Sequence, residues 1–256
     1  MTDQLTDVLQ RELDAARAEL QDLTYRVSHD LRAPLRHIHA YAQVIREDWA
    51  DLPAEVAGHL GTIQKSAQLL TQQLEGLTQL ARIGQQTLSL QTVDVAAMAQ
   101  ELAAELVLRY PNTPVQWQLA TDVPLVCADA LLLRQVWLQV LDNALKFSRQ
   151  RTPAQITLTW QLADAALDVK TSQCQISLQD NGVGFASGQE QALFKVFGKL
   201  HPAREFDGLG LGLLGCRKIM QRLGGSIGIA GQLNAGCCVT LSLPLATADA
   251  RQTCCA

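Results

Sequence analysis

The chain has 256 residues, of which 48% are hydrophobic and 18% are charged, and its net charge is -4 at pH 7. This length allows about two domains, the composition excludes a mainly disordered chain, and the acidic balance gives no electrostatic basis for binding nucleic acid. Because no apolar run reaches the roughly 20 residues that span a bilayer, and seven cysteines lack C-x-x-C spacing, we expect a cytoplasmic protein without direct membrane insertion.

Two segments near the start carry apolar residues at alternating steps of three and four, which predicts two long helices. The stretch from Asp48 to Pro53 separates them and reads as the turn of a hairpin. Two helices alone bury little apolar surface, so we expect the hairpin to pair with a second copy in a four-helix bundle. The alternative is an intramolecular coiled coil. The two seams are Leu9, Leu13, Ala16, Leu20, Leu23 and Val27, and Val56, Leu60, Ile63, Ala67, Leu70, Leu74, Leu77 and Ala81.

After Gly84 the pattern becomes that of an α/β domain. Asp94 is placed to cap a helix that runs to Tyr110. Further helices are predicted over about 131–147 and 211–223, and alternating apolar residues predict strands over 115–119, 156–162, 176–178 and 239–243. These elements favour one mixed sheet covered by helices on one face. We therefore expect a helical hairpin over 1–84, an α/β-sandwich domain over 85–246 and a flexible tail over 247–256, with Gly84 as a hinge.

His29 lies beside the first seam, so its imidazole is expected to face solvent, where a neutral ring is available as a nucleophile. Asp30 could accept the Nδ1 proton and leave Nε2 free to attack. Neighbouring residues of a helix point in different directions, so this contact requires local distortion. Pro34 supplies a reason for a kink, because it lacks the N–H that would bond to the Asp30 carbonyl. An exposed histidine alone is weak evidence, and His37 and His39 lie nearby.

On the predicted helix over 131–147, Asn143 offers an amide oxygen suited to Mg²⁺, and Lys146 lies on the same face and could meet phosphates. Solvated residues on an amphipathic helix would explain both equally well. Farther along, Asp180 could accept the exocyclic amine of adenine, while Gly182 and Gly184 let the backbone pass close to the base. A plain turn is the alternative for this segment.

The segment Gly208-Leu209-Gly210-Leu211-Gly212 opens the helix predicted over 211–223. Glycines at a helix N-terminus expose N–H donors to phosphate oxygens. The segment 193–201 lies upstream, and Phe194 and Phe197 in it read either as the buried side of a short helix or as anchors of a mobile flap.

The order of these segments resembles that of the sensor histidine kinases, especially their phytochrome-like branch. SHDLRAPLR resembles the phospho-acceptor box, LDNALKF the asparagine box, DNGVGF the first glycine box, LFKVFGKLH the phenylalanine box and GLGLGL the second glycine box. The resemblance implies a dimeric hairpin bearing the histidine, joined to an ATP-binding domain that uses ATP and Mg²⁺. It makes His29 and Asp30 catalytic and Asn143 the metal ligand. The implied nucleotide-binding residues are Asn143, Lys146, Asp180, Gly182, Gly184, Lys199, Gly208, Gly210 and Gly212.

Two residues depart from the family pattern. Gln139 stands where an asparagine is usual, four residues before Asn143, and we expect a weakened or rearranged metal contact. Ala33 stands where many members carry a Thr or Asn that positions water for dephosphorylating the partner, so we expect weak phosphatase activity.

The resemblance also implies partners. These are a second copy of the chain, a receiver domain of a response regulator whose aspartate takes the phosphoryl group, and a sensory domain upstream of this chain or on another one. Two rival functions remain. One is an ATPase of the same fold related to chaperones or topoisomerases, which would not need His29-Asp30 or the hairpin. The other is a non-enzymatic dimeric scaffold with a degenerate ATP site, and Gln139 is the only residue in the sequence that favours it.

Overall fold

The computed structural model of the chain describes residues 2–49, 51–163, 173–202 and 205–246. They form two compact units, the first ending at Gln85 and the second beginning at Gln86. None of the helices among these residues combines the length and the apolar character that a membrane crossing needs. The tail predicted over 247–256 lies outside the described residues, as do the side chains of Leu9, Leu13, Ala16 and Leu20.

The first unit is the predicted helical hairpin. Helix α1 spans Thr2–Asp48 and continues through Pro34, and helix α2 spans Ala54–Ile83. One side of each helix is buried in the hairpin, through Ser28, Ala42, Leu60, Ala67, Thr78 and Leu80. Other apolar side chains of both helices stay exposed, namely Leu23, Val27, Leu31, Ile38, Tyr41, Val44, Val56, Ile63, Leu69 and Leu70. The apolar residues of the two helices thus divide into a buried set inside the hairpin and an exposed set on its surface.

The second unit confirms the predicted α/β architecture with a mixed sheet. Five strands lie in the order β2-β4-β5-β7-β6, with β2 and β4 parallel and the other neighbours antiparallel. The elements are β1 (Leu90–Val93), α3 (Val95–Arg109), β2 (Val115–Leu119), β3 (Val126–Asp129), α4 (Ala130–Ser148), β4 (Ala154–Leu162), β5 (Gln173–Asp180), a 3₁₀ helix (Glu190–Phe194), α5 (Gly212–Arg222), β6 (Ser226–Gln232) and β7 (Gly236–Pro244). Strands β1 and β3 form a separate antiparallel pair.

The core of this unit lies between the helices and one face of the sheet. Helix α4 packs against β4, β5 and β7, and along β4 and β5 buried residues alternate with more exposed ones, as expected for a sheet covered on one face. The largest fully buried side chains are Trp137, Leu102, Leu106, Leu133, Leu141, Leu145, Ile156, Leu158, Ile176, Leu178, Met220 and Leu241. Helix α4 is therefore fixed over the strand that ends at Asp180.

Two aspartates cap the helices of this unit in different surroundings. Asp94 accepts a hydrogen bond from the Ala97 N–H at 2.9 Å, which confirms the predicted cap of α3. Asp129 is buried and accepts three, from the N–H groups of Leu131 and Leu132 at 3.1 Å and of Ser89 at 2.9 Å. Asp129 thus caps α4 and ties it to the segment before β1.

This difference predicts unequal losses of stability. Asp94→Ala should lower the free energy of unfolding by about 1 kcal/mol, the usual effect of losing an exposed cap. Asp129→Ala should lower it by about 3 kcal/mol, because buried N–H groups lose their acceptor. Urea unfolding followed by circular dichroism measures both values, and equal losses would contradict the role assigned to Asp129.

Candidate nucleotide site and phospho-acceptor histidine

A pocket with a cavity volume of about 60 Å³ lies in the second unit between α4, the end of β5 and the segment 193–201. Asn143, Asp180 and His201 are polar groups on a wall that is otherwise mainly apolar, formed by Val140, Ala144, Phe147, Leu178, Val183, Leu193, Leu213, Ile229 and Val239. A wall of this kind suits a flat heteroaromatic ring.

Asp180, the last residue of β5, is a buried acceptor in this pocket. Its Oδ1 accepts hydrogen bonds from the N–H of Gly182 at 2.8 Å and of Cys237 at 3.2 Å. Burial raises the pKa of Asp180 to about 6, against the lowering effect of these two N–H groups. A carboxylate offers about four acceptor positions, so Asp180 is mostly ionised at pH 7 and retains capacity to accept an N–H from a ligand.

Gly182 and Gly184 form the turn after β5, where a side chain would not fit. A Cβ on Gly182 would lie 2.6 Å from the Phe147 carbonyl oxygen, and Gly184 has φ of 58° and faces the Gln232 carbonyl. The turn is thus pressed between the end of α4 and the end of β6. The glycines allow this approach of backbone to backbone and thereby keep Asp180 at the pocket wall.

A polar cluster lies on α4 beside the pocket. Asn143 Oδ1 accepts hydrogen bonds from Gln139 Nε2 at 3.1 Å and from Lys146 Nζ at 3.2 Å. Burial lowers the pKa of Lys146, an effect that the charges of Asp142 and Asp207 oppose. The cluster therefore holds a partly desolvated cation next to an amide oxygen.

The donor chemistry of this cluster fits Mg²⁺ carried by a nucleotide. Asn143 Oδ1 is a hard oxygen, and Mg²⁺ usually takes one or two protein oxygens and completes its shell with phosphates and water. Among the described residues there is no group of three or more His, Cys, Asp or Glu that could hold a metal by itself. A cage made only of protein ligands is thus not part of the described site.

The second glycine segment leads into α5, as predicted. Gly208 and Gly210 have φ of 141° and 72°, values that favour glycine. A Cβ on Gly208 would lie 3.6 Å from Lys146 Nζ, whereas one on Gly210 would collide with the backbone of Phe197 and Gly198. The segment therefore passes close to the α4 cluster and brings the N-terminus of α5 near it, where N–H donors favour anions.

Lys199 and Phe197 differ in their relation to this site. Lys199 is exposed, and its positive charge contributes to lowering the pKa of Lys146. The 3₁₀ helix ends at Phe194, which is buried, while Phe197 lies beyond it with φ of 58° and is 37% exposed. The interpretation of the two phenylalanines as one buried helix side is therefore wrong for Phe197, because the chain leaves the helix between them.

Sequence reasoning missed a cluster of three rings at the pocket. His201 lies 5.6 Å from Phe147 and 5.4 Å from Phe206, and the two phenylalanine rings are 4.8 Å apart, measured between centroids. Lys146 Nζ lies 4.6 Å from the centre of the Phe147 ring, and the Arg149 guanidinium 5.0 Å from that of Phe206. Phe206 carried no signal in the sequence, because its partners stand far away along the chain.

Arg151 is a second residue that the sequence did not single out. Its guanidinium donates to the carbonyl oxygens of Asn181, Gly182 and Asn234 at 2.9, 3.2 and 2.8 Å. It thereby fastens the turn after β5 to the turn between β6 and β7, so it supports the position of Asp180 from outside the pocket.

In the first unit, His29 and Asp30 form the contact that the sequence predicted. The side chains are 66% and 80% exposed, and His29 Nδ1 lies 3.2 Å from Asp30 Oδ1. With Nδ1 engaged by the carboxylate, Nε2 is the nitrogen available for attack on an incoming group. Helix α1 runs through both residues, so a break in the helix is not needed for the contact.

Comparison with family models divides the chain in the same way. Residues 128–247 match the family described as histidine kinase-, DNA gyrase B- and HSP90-like ATPase. Residues 19–86 match the His Kinase A (phospho-acceptor) domain. The two matches together span most of the chain.

Known proteins similar to this chain include cyanobacterial phytochrome B of Nostoc sp., 26% identical over 227 residues, which are 88% of this chain and 29% of that protein. The methanogenesis regulatory histidine kinase FilI of Methanothrix harundinacea is 26% identical over 234 residues, 91% of this chain and 25% of that protein. The chain thus spans between a quarter and a third of the length of these curated relatives.

Among solved structures, full-length ShkA in complex with AMPPNP superposes with a TM-score of 0.60 at 26% identity, over 89% of this chain and 46% of that one. Acinetobacter baumannii histidine kinase AdeS superposes with a TM-score of 0.55 at 19% identity, over 86% of this chain and 98% of that one. At that identity the second likeness concerns the fold alone.

The state of Asp180 predicts how adenosine binding depends on pH. When the pH falls below the Asp180 pKa of about 6, the carboxyl group becomes protonated and no longer presents a carboxylate to the exocyclic amine. The affinity for adenosine, which has no phosphate to titrate, should fall about tenfold between pH 7 and pH 5. Calorimetric titration measures it. Asp180→Asn should remove this dependence, and an equal fall in that variant would contradict the assignment.

The ring cluster predicts a contribution of His201 to binding that does not depend on phosphate. Loss of an aromatic contact by His201→Ala should weaken adenosine, ADP and ATP alike, by about fivefold to tenfold. His201→Phe should retain most of the affinity, because the contact is between rings. A loss confined to ATP, measured by competition with a fluorescent nucleotide, would instead assign His201 to the phosphates.

Proposed function

The chain belongs to the sensor histidine kinases, because it joins their phospho-acceptor domain to their ATPase domain, and we propose that it phosphorylates its own His29 with ATP. The observation that carries this proposal is the exposed His29 with Asp30 at its Nδ1. An ATPase that only hydrolyses nucleotide has no use for this pair. A chain that serves only as a scaffold would not need the acceptor Asp180 in an apolar pocket.

In the proposed reaction a bond forms between His29 Nε2 and the γ-phosphorus of ATP. The bond from this phosphorus to the bridging oxygen breaks, and ADP leaves with the electron pair. Asp30 orients the imidazole by accepting a hydrogen bond from Nδ1–H. As positive charge develops on the ring, the Asp30 carboxylate stabilises it and then accepts the Nδ1 proton. This pairing of roles follows from the 3.2 Å contact.

The second unit supplies the nucleotide site in this proposal. Asp180 accepts the adenine amine, and the rings of Phe147 and His201 line the base pocket. The proposal assigns the phosphates to Lys146 and to the N–H groups at Gly208, Gly210 and Gly212. Mg²⁺ held through Asn143 would neutralise negative charge on the transferring group. Lys199, which is exposed, is the remaining cation proposed for the phosphates.

The partners are proposals of the same kind. The apolar side chains exposed on α1 and α2 support a homodimer through the hairpin, because a second copy would cover them. The acceptor after His29 is proposed to be an aspartate of a separate response-regulator receiver domain. A sensory domain is proposed upstream or on another chain, in keeping with relatives that are three to four times longer than this chain.

The remaining expectations stay predictions. They are domains over 1–84 and 85–246, a hinge at Gly84, weak phosphatase activity owing to Ala33 and a cytoplasmic location. Gly84 ends α2, and its N–H donates to the Ala81 carbonyl oxygen at 3.2 Å. The side chain of Ala33 is a methyl group and offers no hydrogen bond to water.

The decisive experiment incubates the chain with γ-labelled ATP and Mg²⁺. We expect label that is labile to acid and stable to base, as for a phosphorus–nitrogen bond, and none above background in His29→Gln. The matched controls His37→Gln and His39→Gln should keep the label. Hydrolysis of ATP without labelled protein would favour the plain ATPase, and no nucleotide binding would favour the scaffold.

A further inference from the structure

Gln139 makes contacts in two directions from the middle of α4. Its Nε2 donates to Asn143 Oδ1 at 3.1 Å, one helical turn along the same face. The side chain is half-buried, so part of this hydrogen bond is shielded from water. Gln139 therefore determines, together with Lys146, which end of the Asn143 amide faces the phosphate region.

On its other side, Gln139 occupies the space next to Gly212, the first residue of α5. A Cβ on Gly212 would lie 2.5 Å from Gln139 Cδ, 2.6 Å from Oε1 and 2.8 Å from Nε2, which is too close for any real contact. Gly212 has no positive φ, so its backbone conformation is open to any residue. The Gln139 amide thus occupies the space that a side chain at position 212 would need.

We propose that Gln139 is a positioning residue that couples the start of α5 to the metal ligand Asn143. Gly212 leaves room for the Gln139 amide, and this amide holds Asn143 with Oδ1 directed to the cluster. Without that hold the Asn143 amide can rotate and present Nδ2, a donor that repels a cation. The inference rests on the proposed function, because it concerns Mg²⁺ bound with a nucleotide.

A Cβ on Gly212 should act through Gln139 and not directly. The atoms that it would strike belong to the end of a flexible side chain, which can turn away without a change in the backbone. The hydrogen bond to Asn143 would be lost in that movement. Gly212→Ala, which displaces the Gln139 amide, and Gln139→Ala, which removes it, should therefore both abolish the hydrogen bond to Asn143.

The test is a double-mutant cycle on nucleotide affinity. A fluorescent ATP analogue is titrated in Mg²⁺ and in EDTA against the wild-type chain, Gln139→Ala, Gly212→Ala and the double variant. The gain in affinity on adding Mg²⁺ should fall about tenfold in each single variant, as is usual for residues that orient a metal ligand. The double variant should lose no more of the Mg²⁺ effect than either single one, and the affinity of Gln139→Ala in EDTA should stay within about twofold of that of the wild type.

Gly228→Ala on β6 is the matched control, since nothing lies within 4 Å of a Cβ there, and it should behave as the wild type. Gln139→Asn, which keeps an amide on a shorter stem, should show a larger Mg²⁺ effect than Gln139→Ala. An unchanged Mg²⁺ effect in Gln139→Ala would overturn the proposal, as would losses that add in the double variant. If Gly212→Ala does not fold, by circular dichroism, Gln139→Ala still decides.

The same titration separates this inference from the proposed function. A wild-type chain that binds no nucleotide under either condition would remove both. If Mg²⁺ raises the affinity of the wild-type chain and of every variant by the same factor, only the role of Gln139 is contradicted.

Discussion

The burial of one face of helix α4 is the constraint on which the nucleotide site depends. Trp137, Leu141 and Leu145 are fully buried against the sheet, and they fix both the rotation and the height of the helix. Asn143, which lies between Leu141 and Leu145, and Lys146, which follows Leu145, are thereby held in fixed directions. The apolar face supplies stability, and the polar residues obtain their fixed positions from it without contributing much stability of their own.

Asp180 shows the cost of such a position. A buried carboxylate is unfavourable, and burial raises its pKa to about 6 even with two N–H donors at Oδ1. The surrounding glycines and Arg151 bring backbone groups close enough to make this state tolerable. A group of this kind lowers the free energy of unfolding near pH 7, since the folded chain holds the proton more tightly than the unfolded one and stability falls as the pH rises towards about 6. Folding alone does not account for its presence, whereas the proposed contact with the adenine amine does.

The sequence was sufficient for those parts of the fold that are governed by local pattern. The heptads predicted the hairpin, and Asp94 and the apolar alternation predicted α3, β2, β4, β5 and β7. It was insufficient where the reason for a residue lies far away in the chain. Strand β6 carries two glycines and was missed, because its pairing with β7 and not its own propensity makes it a strand. The rings of His201 and Phe206 meet Phe147 from more than fifty residues away.

The candidate site shows the same division. Asn143, Asp180 and Gly184 could be named from their motifs and indeed line one pocket. Gly212 could be named only as one glycine of a run, since the reason for it is the side chain of Gln139 on another helix. A motif therefore indicates which residues matter, whereas the neighbour that makes a residue necessary appears only when the helices are packed.

The pair of His29 and Asp30 follows a different physical logic from the nucleotide site. An exposed hydrogen bond between two polar side chains is worth little in water, and at 66% and 80% exposure these side chains are well solvated. The contact therefore orients the imidazole only weakly while water competes for both groups. Orientation becomes strong when water is excluded, because the same contact then lies in a medium of lower dielectric constant. In the proposed reaction His29 is therefore poorly activated while water surrounds it and better activated when a bound nucleotide excludes that water, so that transfer depends on this encounter and not on His29 alone.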